Sequence, residues 1–161
     1  MPQLLKVRLC EESDLPSLRA REALPEARLA DQHFAQQNQG EYFFAVAFRD
    51  DLPMGSVVLD CRTGPLQPEM KNLWVYPEAR RQGVGSALVT FIEDLGEAQK
   101  FEEVFFGIDP ENPSAIPMYL ELGYAPTGQH REVAYVSVEP DGTTVERPQT
   151  ESIYRKSLRY R

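Results

Sequence analysis

Cysteine, histidine and long apolar runs are all scarce in this chain of 161 residues. The two cysteines, Cys10 and Cys61, show no CxxC spacing, which argues against a zinc site or a disulfide framework and favours a reducing cytoplasm. No apolar run approaches the ~20 residues of a membrane span, and the N-terminus lacks the layout of a signal peptide. We therefore expect a cytoplasmic protein that holds no metal and makes no membrane contact.

Positive charge is also scarce. Lysine and arginine total 17 against 25 aspartates and glutamates, so the formal net charge is −8. Nucleic-acid binding needs basic side chains that displace counterions, and this balance argues against such a partner. The negative net charge favours a cationic partner such as an amine. The alternative is that this charge serves only to keep the protein soluble.

The composition, 42% hydrophobic and 26% charged, is typical of one compact domain, which we assign to residues 1–161. Alternation and helical spacing of the apolar residues predict the following elements. The strands are 4–9, 42–48, 55–61, 70–76, 104–108, one from 124 onward, and 152–158; the helices are one after Ser13 and Asp14, 25–40, 83–100 and 114–122. This order predicts an α+β fold with a mixed central sheet of about six or seven strands and flanking helices, and a long hairpin over 129–150.

A basic, glycine-containing turn is the most informative segment. Arg80 and Arg81 follow a predicted strand, and Gly83 and Gly85 open the best amphipathic helix in the chain. A helix N-terminus presents unpaired N–H groups, and glycine lets a ligand reach them, so the turn suits a pyrophosphate. A third glycine of the dinucleotide-binding pattern is absent, because position 88 is leucine. The simpler interpretation is a helix start with two solvated arginines.

Three segments together resemble the GNAT superfamily of N-acetyltransferases. Arg80-x-x-Gly83-x-Gly85 matches the acetyl-CoA signature Gln/Arg-x-x-Gly-x-Gly/Ala of that family. The segments from Asn112 to Ile116 and from Tyr119 to Tyr124 resemble its second motif, and 153–158 resembles its closing strand. The resemblance spans about residues 4–158 and implies a GNAT-type acyl-CoA N-acyltransferase fold, in which two central strands splay apart to leave a slot for the cofactor.

The resemblance also implies that acetyl-CoA is the co-substrate. The residues it places around the coenzyme are Leu73, Trp74, Val75 and Asn112 at the pantetheine arm, and Arg80, Arg81, Gln82, Gly83, Val84, Gly85 and Ser86 at the pyrophosphate. It implies that the backbone amide of Val75 polarises the acetyl carbonyl. Because the amine attacks the thioester directly, Cys61 is not expected to act as a nucleophile.

Two residues are candidates for the proton transfers. Tyr119 matches the family's usual general acid beside the leaving sulfur, whose thiol has a pKa near ~8.5. An alkylamine with a pKa near ~10.4 must lose a proton before it attacks. Glu69 falls where some family members carry a catalytic glutamate, and strand alternation places it on the same side as Leu73 and Val75. A water chain is the alternative base, and His33 and His130 are weaker candidates.

The acceptor is left open by the sequence, between a small amine and a peptide amine. The resemblance implies that acceptor residues lie on the N-terminal elements and late loops, at about 15–44 and 128–149. Candidates there for binding a cationic amine are Glu22, Glu26, Asp31, Tyr42 and Phe44, and the alternative is that they are ordinary surface and core positions. Pro117 lies inside the predicted second-motif helix. Unless it falls in the first turn, it removes a helical hydrogen bond and changes the direction in which the Tyr119 side chain points. A non-catalytic acyl-CoA sensor on the same fold is the rival interpretation, and a homodimer through the C-terminal strand remains open.

Overall fold

The computed structural model describes residues 4–22, 25–110, 113–159 and 161. Within these residues, seven strands and four α-helices make up the fold, apart from short 3-10 turns. The strands are β1 (Leu5–Leu9), β2 (Tyr42–Arg49), β3 (Leu52–Asp60), β4 (Glu69–Val75), β5 (Glu103–Ile108), β6 (Ala125–Val138) and β7 (Thr144–Ser157). The helices are α1 (Leu15–Arg19), α2 (Leu29–Asn38), α3 (Val84–Ala98) and α4 (Ile116–Glu121).

All seven strands form one sheet in the order β1-β2-β3-β4-β5-β7-β6. Only the central pair, β4 and β5, is parallel among the described strand pairs, and the others are antiparallel. A parallel pair needs a crossover connection, and α3 supplies it. The predicted α+β class with a mixed sheet of six or seven strands is confirmed.

Each face of the sheet is covered by helices. One face carries the larger core, in which Val57, Leu59 and Val104 pack against the apolar side of α3. The other face packs Phe44, Val46 and Val58 against α1 and α2. No helix among the described residues is long and apolar enough to cross a membrane.

Several element boundaries differ from those predicted. The hairpin between β2 and β3 turns over Asp50 and Asp51, with Asp50 left-handed (φ 54), so β3 begins at Leu52 rather than at position 55. The predicted long hairpin near the C-terminus is confirmed as β6 and β7, each 14 residues long. Pro117 lies in the first turn of α4, where its missing N–H breaks no helical hydrogen bond.

Candidate active site

The two parallel central strands pair only at one end. Their single paired position joins Glu69 to Phe105, and the Phe105 N–H donates to the Pro68 carbonyl at 3.1 Å. Beyond that point β4 continues to Val75 and β5 continues to Ile108 without pairing to each other. The predicted splayed slot is therefore present, and unpaired backbone groups of both strands line it.

A β-bulge lies in β4 beside this slot. Lys71 pairs with Val58 and Trp74 with Ser56, so β4 holds one more residue than β3 over this stretch, and Asn72 adopts φ 57. The extra residue reverses the alternation. Val75 consequently packs in the α3-side core, whereas Lys71 and Trp74 face the α1–α2 side. The prediction that Glu69 shares a side with Leu73 and Val75 was wrong, because regular alternation does not cross a bulge.

The basic turn before α3 has the open backbone that an anion needs. Arg81 and Gly83 both adopt left-handed conformations, with φ 62 and φ 81, and a Cβ added at Gly83 would meet no atom within 4 Å. Successive N–H groups around left-handed residues form an anion-binding nest next to the positive end of α3. Arg80 is anchored there, because its Nε donates to the Val75 carbonyl at 3.0 Å.

The remaining predicted pyrophosphate residues divide into backbone and side-chain contributors. Gln82 braces the turn, since its Nε2 donates to the Glu78 carbonyl at 3.0 Å and its Oε1 accepts a hydrogen bond from Arg49. Val84 is buried in the core, so it offers only its backbone to a ligand. Gly85 lies where α3 and α4 pack closely, because a Cβ added there would lie 3.1 Å from the Met118 sulfur. Ser86 is half-buried one residue further along α3.

Tyr119 lies on the α3 side of the sheet. Its ring packs on Phe106 with centroids 4.1 Å apart and meets Tyr124 edge-on. Burial raises the pKa of the Tyr119 phenol to about 12. The hydroxyl is protonated at neutral pH, as that of an ordinary tyrosine also is, and so has a proton to donate.

Glu69 lies at the closed end of the slot in an ion network that spans three strands. Arg131 of β6 contacts the Glu69 carboxylate at 2.5 Å and the Glu151 carboxylate of β7 at 2.9 Å. This network passes directly over Gly107 of β5, where any Cβ would collide with the Glu151 side chain. Arg131 thus fixes the position of Glu69.

A cavity of about 420 Å³ opens on the other face of the sheet, between α1, α2 and the bulge of β4. Its apolar wall includes Leu18, Leu29, Phe44, Trp74 and Tyr76, and its polar lining includes Arg21, Glu22, His33, Ser56 and Asn72. Of the five residues predicted to favour a cationic acceptor, Glu22 and Phe44 therefore line it. Asp31 instead pairs with Arg19 at 2.6 Å.

His33 is held in a neutral state at the cavity wall. Its Nδ1 and the Tyr42 hydroxyl lie 2.6 Å apart, and its ring contacts Phe44. Burial, with a smaller contribution from the nearby Lys71 charge, lowers the pKa of His33 to about 4. His33 is therefore uncharged at neutral pH.

The low pKa of His33 predicts an acid-sensitive stability. The unfolded chain takes up a proton on His33 near pH ~6.5, but the folded protein does so only near pH 4. The contribution of neutral His33 to the free energy of unfolding should be fully present above about pH 6.5 and should fall by up to about 1.4 kcal/mol per pH unit as pH drops toward 4. Urea denaturation at pH 7 and pH 5 measures this loss. It should shrink in His33→Gln and persist in His130→Gln, and equal losses in both variants would contradict the assignment.

Two sets of residues complete the comparison with the sequence-based site. Asn112 lies outside the described residues. Cys10 and Cys61 are buried, and burial raises the pKa of each thiol to about 12. Protonated thiols are poor nucleophiles. This agrees with the expectation that Cys61 does not act as a nucleophile.

Comparison with known proteins places these features in a family. A family model described as the acetyltransferase (GNAT) family matches residues 7–124, which is most of the chain. The chain belongs to the GNAT acetyltransferase family. Membership confirms the predictions of a GNAT fold and of an acetyltransferase that uses acetyl-CoA.

Solved GNAT structures align with this chain along nearly its whole length. The ribosomal-protein-S18-alanine N-acetyltransferase from Escherichia coli has a TM-score of 0.69 at 22% identity, over 96% of this chain and 94% of that one. A putative acetyltransferase from Salmonella typhimurium with its cofactor acetyl-CoA gives 0.68 at 18%, over 98% and 96%. Spermidine N-acetyltransferase from Vibrio cholerae with CoA and spermine gives 0.69 at 18%, over 96% and 95%. At these identities the likeness establishes the fold of this GNAT protein.

Sequence reasoning missed Arg131 and the cavity residue Asn72. Arg131 reaches Glu69 across 62 positions of sequence, and no local pattern marks such a contact. Asn72 carried one weak signal, since asparagine tolerates the left-handed backbone that the bulge requires.

Proposed function

We propose that this GNAT protein transfers an acetyl group from acetyl-CoA to a primary amine within a ternary complex. The observation that carries the proposal is the splay of β4 from β5 beyond Glu69. It leaves a gap in the centre of the sheet with the anion-binding turn on its α3 side and the cavity on its α1–α2 side. Donor and acceptor can therefore meet through the sheet from opposite faces, which lowers the entropic cost of their encounter.

The donor side is assigned to the turn and the adjoining strand. The amides from Arg81 to Ser86, with the charges of Arg80 and Arg81, would hold the pyrophosphate. Leu73, Trp74 and Val75, which follow the bulge, would offer main-chain groups to the pantetheine arm. The open space at Gly83 fits a ligand that approaches the backbone closely. Asn112 is retained as a pantetheine contact on the resemblance alone.

The two proton transfers are assigned to opposite sides of the gap. Acetyl-CoA supplies a thioester whose carbonyl carbon the amine attacks, with cleavage of the C–S bond. Glu69 lies on the same face of the sheet as the cavity but outside its lining, where it is paired with Arg131, and it would take the ammonium proton through a water chain. Tyr119, on the α3 side, would donate its phenolic proton to the departing thiolate. The Val75 amide would stabilise negative charge on the carbonyl oxygen.

An acetyl-CoA assay against a panel of amines tests this function. Free thiol released per unit time measures transfer, and mass spectrometry of the acceptor should show one added acetyl group. Amine-dependent thiol release supports the proposal. Tight coenzyme A binding without any turnover would instead indicate the acyl-CoA sensor.

A further inference from the structure

We propose that the cavity between α1, α2 and the β4 bulge takes a primary amine with a single cationic centre and an apolar body, such as an arylalkylamine. This inference rests on the proposed function, since it names the acceptor class for the same reaction. It follows from the shape of the cavity, from its charges and from the position of the nearby acidic residues.

The cavity is suited to an apolar group of modest size. Its volume of about 420 Å³ lies within the roughly 300–1,000 Å³ of small-molecule sites. Leu18 and Leu29 line it from the helices, Phe44 and Trp74 line it from the sheet, and Tyr76 lines it just after β4. Burying an apolar ligand surface against these side chains stabilises the complex by roughly 25 cal/mol per Å².

The described lining of the cavity carries one carboxylate, Glu22, and one guanidinium, Arg21. Arg21 is already paired with Glu78, donates to the Pro53 carbonyl and lies 3.9 Å above the Tyr76 ring. His33 is neutral at pH 7. Among the described residues that line the cavity, Glu22 therefore supplies the only negative charge.

The Glu22 carboxylate is fixed in place by the fold. Its Oε1 accepts the Ala30 N–H at 2.7 Å in the first turn of α2. A carboxylate held at the wall attracts one ammonium group and pays little side-chain entropy when that group binds. Glutamine at this position would keep the hydrogen bond from Ala30 and lose the charge.

A polyamine needs more acidic partners than the cavity offers. Asp31 is engaged by Arg19 at 2.6 Å and by Arg28 at 3.4 Å, and it does not line the cavity. Glu26 is exposed and also lies outside the lining. A second ammonium drawn into the apolar region would lose its hydration without gaining a counter-ion, which is costly.

Steady-state kinetics with three probe amines test the inference. With acetyl-CoA and this protein, we expect kcat/KM for 2-phenylethylamine to exceed that for spermidine by at least about tenfold, since one unpaired buried charge costs that much or more. It should exceed that for a short alanine-starting peptide by a similar factor, because the peptide's backbone amides would lose water against apolar side chains. Equal or higher kcat/KM for spermidine or the peptide overturns the inference but leaves the proposed function standing. No turnover with any amine contradicts both.

The variant Glu22→Gln tests the assigned counter-charge. The KM for 2-phenylethylamine should rise about tenfold or more, because a charged hydrogen bond contributes about 1.5–3 kcal/mol. The KM for acetyl-CoA and the urea midpoint should not change. Glu12→Gln, an exposed carboxylate in the preceding turn, is the matched control and should leave all three values unaltered. An unchanged amine KM in Glu22→Gln overturns the inference.

Discussion

Replacing Tyr119 with phenylalanine should lower kcat for acetyl transfer by about 100-fold or more, which is the usual effect of losing a general acid. The substitution removes one hydroxyl and keeps the ring that packs on Phe106. Binding of acetyl-CoA should be retained, because the pyrophosphate turn is untouched. The initial rate of free thiol release at saturating substrates gives kcat, and calorimetry gives the affinity for acetyl-CoA.

Tyr154→Phe is the matched control for this prediction. Tyr154 stacks on the same Phe106 ring, with centroids 5.4 Å apart, but it has no assigned part in the chemistry. Its substitution should leave kcat within about twofold, as for a side chain that only packs. A Tyr119→Phe enzyme that keeps full kcat would show that water or another group protonates the leaving thiolate.

Replacing Glu93 with alanine should destabilise the fold by about 3–5 kcal/mol, the cost of leaving a buried charge without its partner. Glu93 is a buried carboxylate on α3. It accepts a hydrogen bond from the Tyr124 hydroxyl at 2.9 Å and contacts Lys156 at 2.9 Å and Arg161 at 3.3 Å. Its removal leaves the largely buried Lys156 ammonium uncompensated. Urea denaturation gives the free energy of unfolding.

The neighbouring acid Asp94 provides the control for Glu93. Asp94 pairs with the same Arg161 at 2.6 Å, but its side chain is 63% exposed. Exposed pairs contribute about 0–1 kcal/mol, so Asp94→Ala should have a small effect. Equal losses of stability in the two variants would refute the role of burial at Glu93.

Local patterns predicted the elements that pack by a regular repeat. The spacing of Val84, Leu88 and Ile92 marked α3, and all three are buried. The bulge of β4 escaped prediction, because one additional residue leaves no apolar signature in a strand with exposed Asn72 and Trp74. That single residue places the side chains of Val75 and Glu69 on opposite faces of the sheet.

The site was predictable where it is contiguous in sequence. Gly83 and Gly85 stand two positions apart at the start of α3, and Gly83 adopts the open left-handed conformation that the motif requires. The cavity was not predictable as a unit, because its residues lie far apart in sequence. Glu22 follows α1, His33 lies in α2 and Trp74 lies in β4. Only the tertiary packing of the helices on the sheet brings them together.

Titration of acetyl-CoA into Gly83→Asp and Gly83→Asn tests the central claim that this turn and slot hold the coenzyme. Aspartate and asparagine are nearly equal in size and both tolerate φ 81, so the pair differs in charge at the pyrophosphate position. If the turn and slot hold the coenzyme, the wild-type protein binds acetyl-CoA, and Gly83→Asp binds it at least about tenfold more weakly than Gly83→Asn. Equal affinities in the two variants, or no binding by the wild-type protein, would contradict that claim.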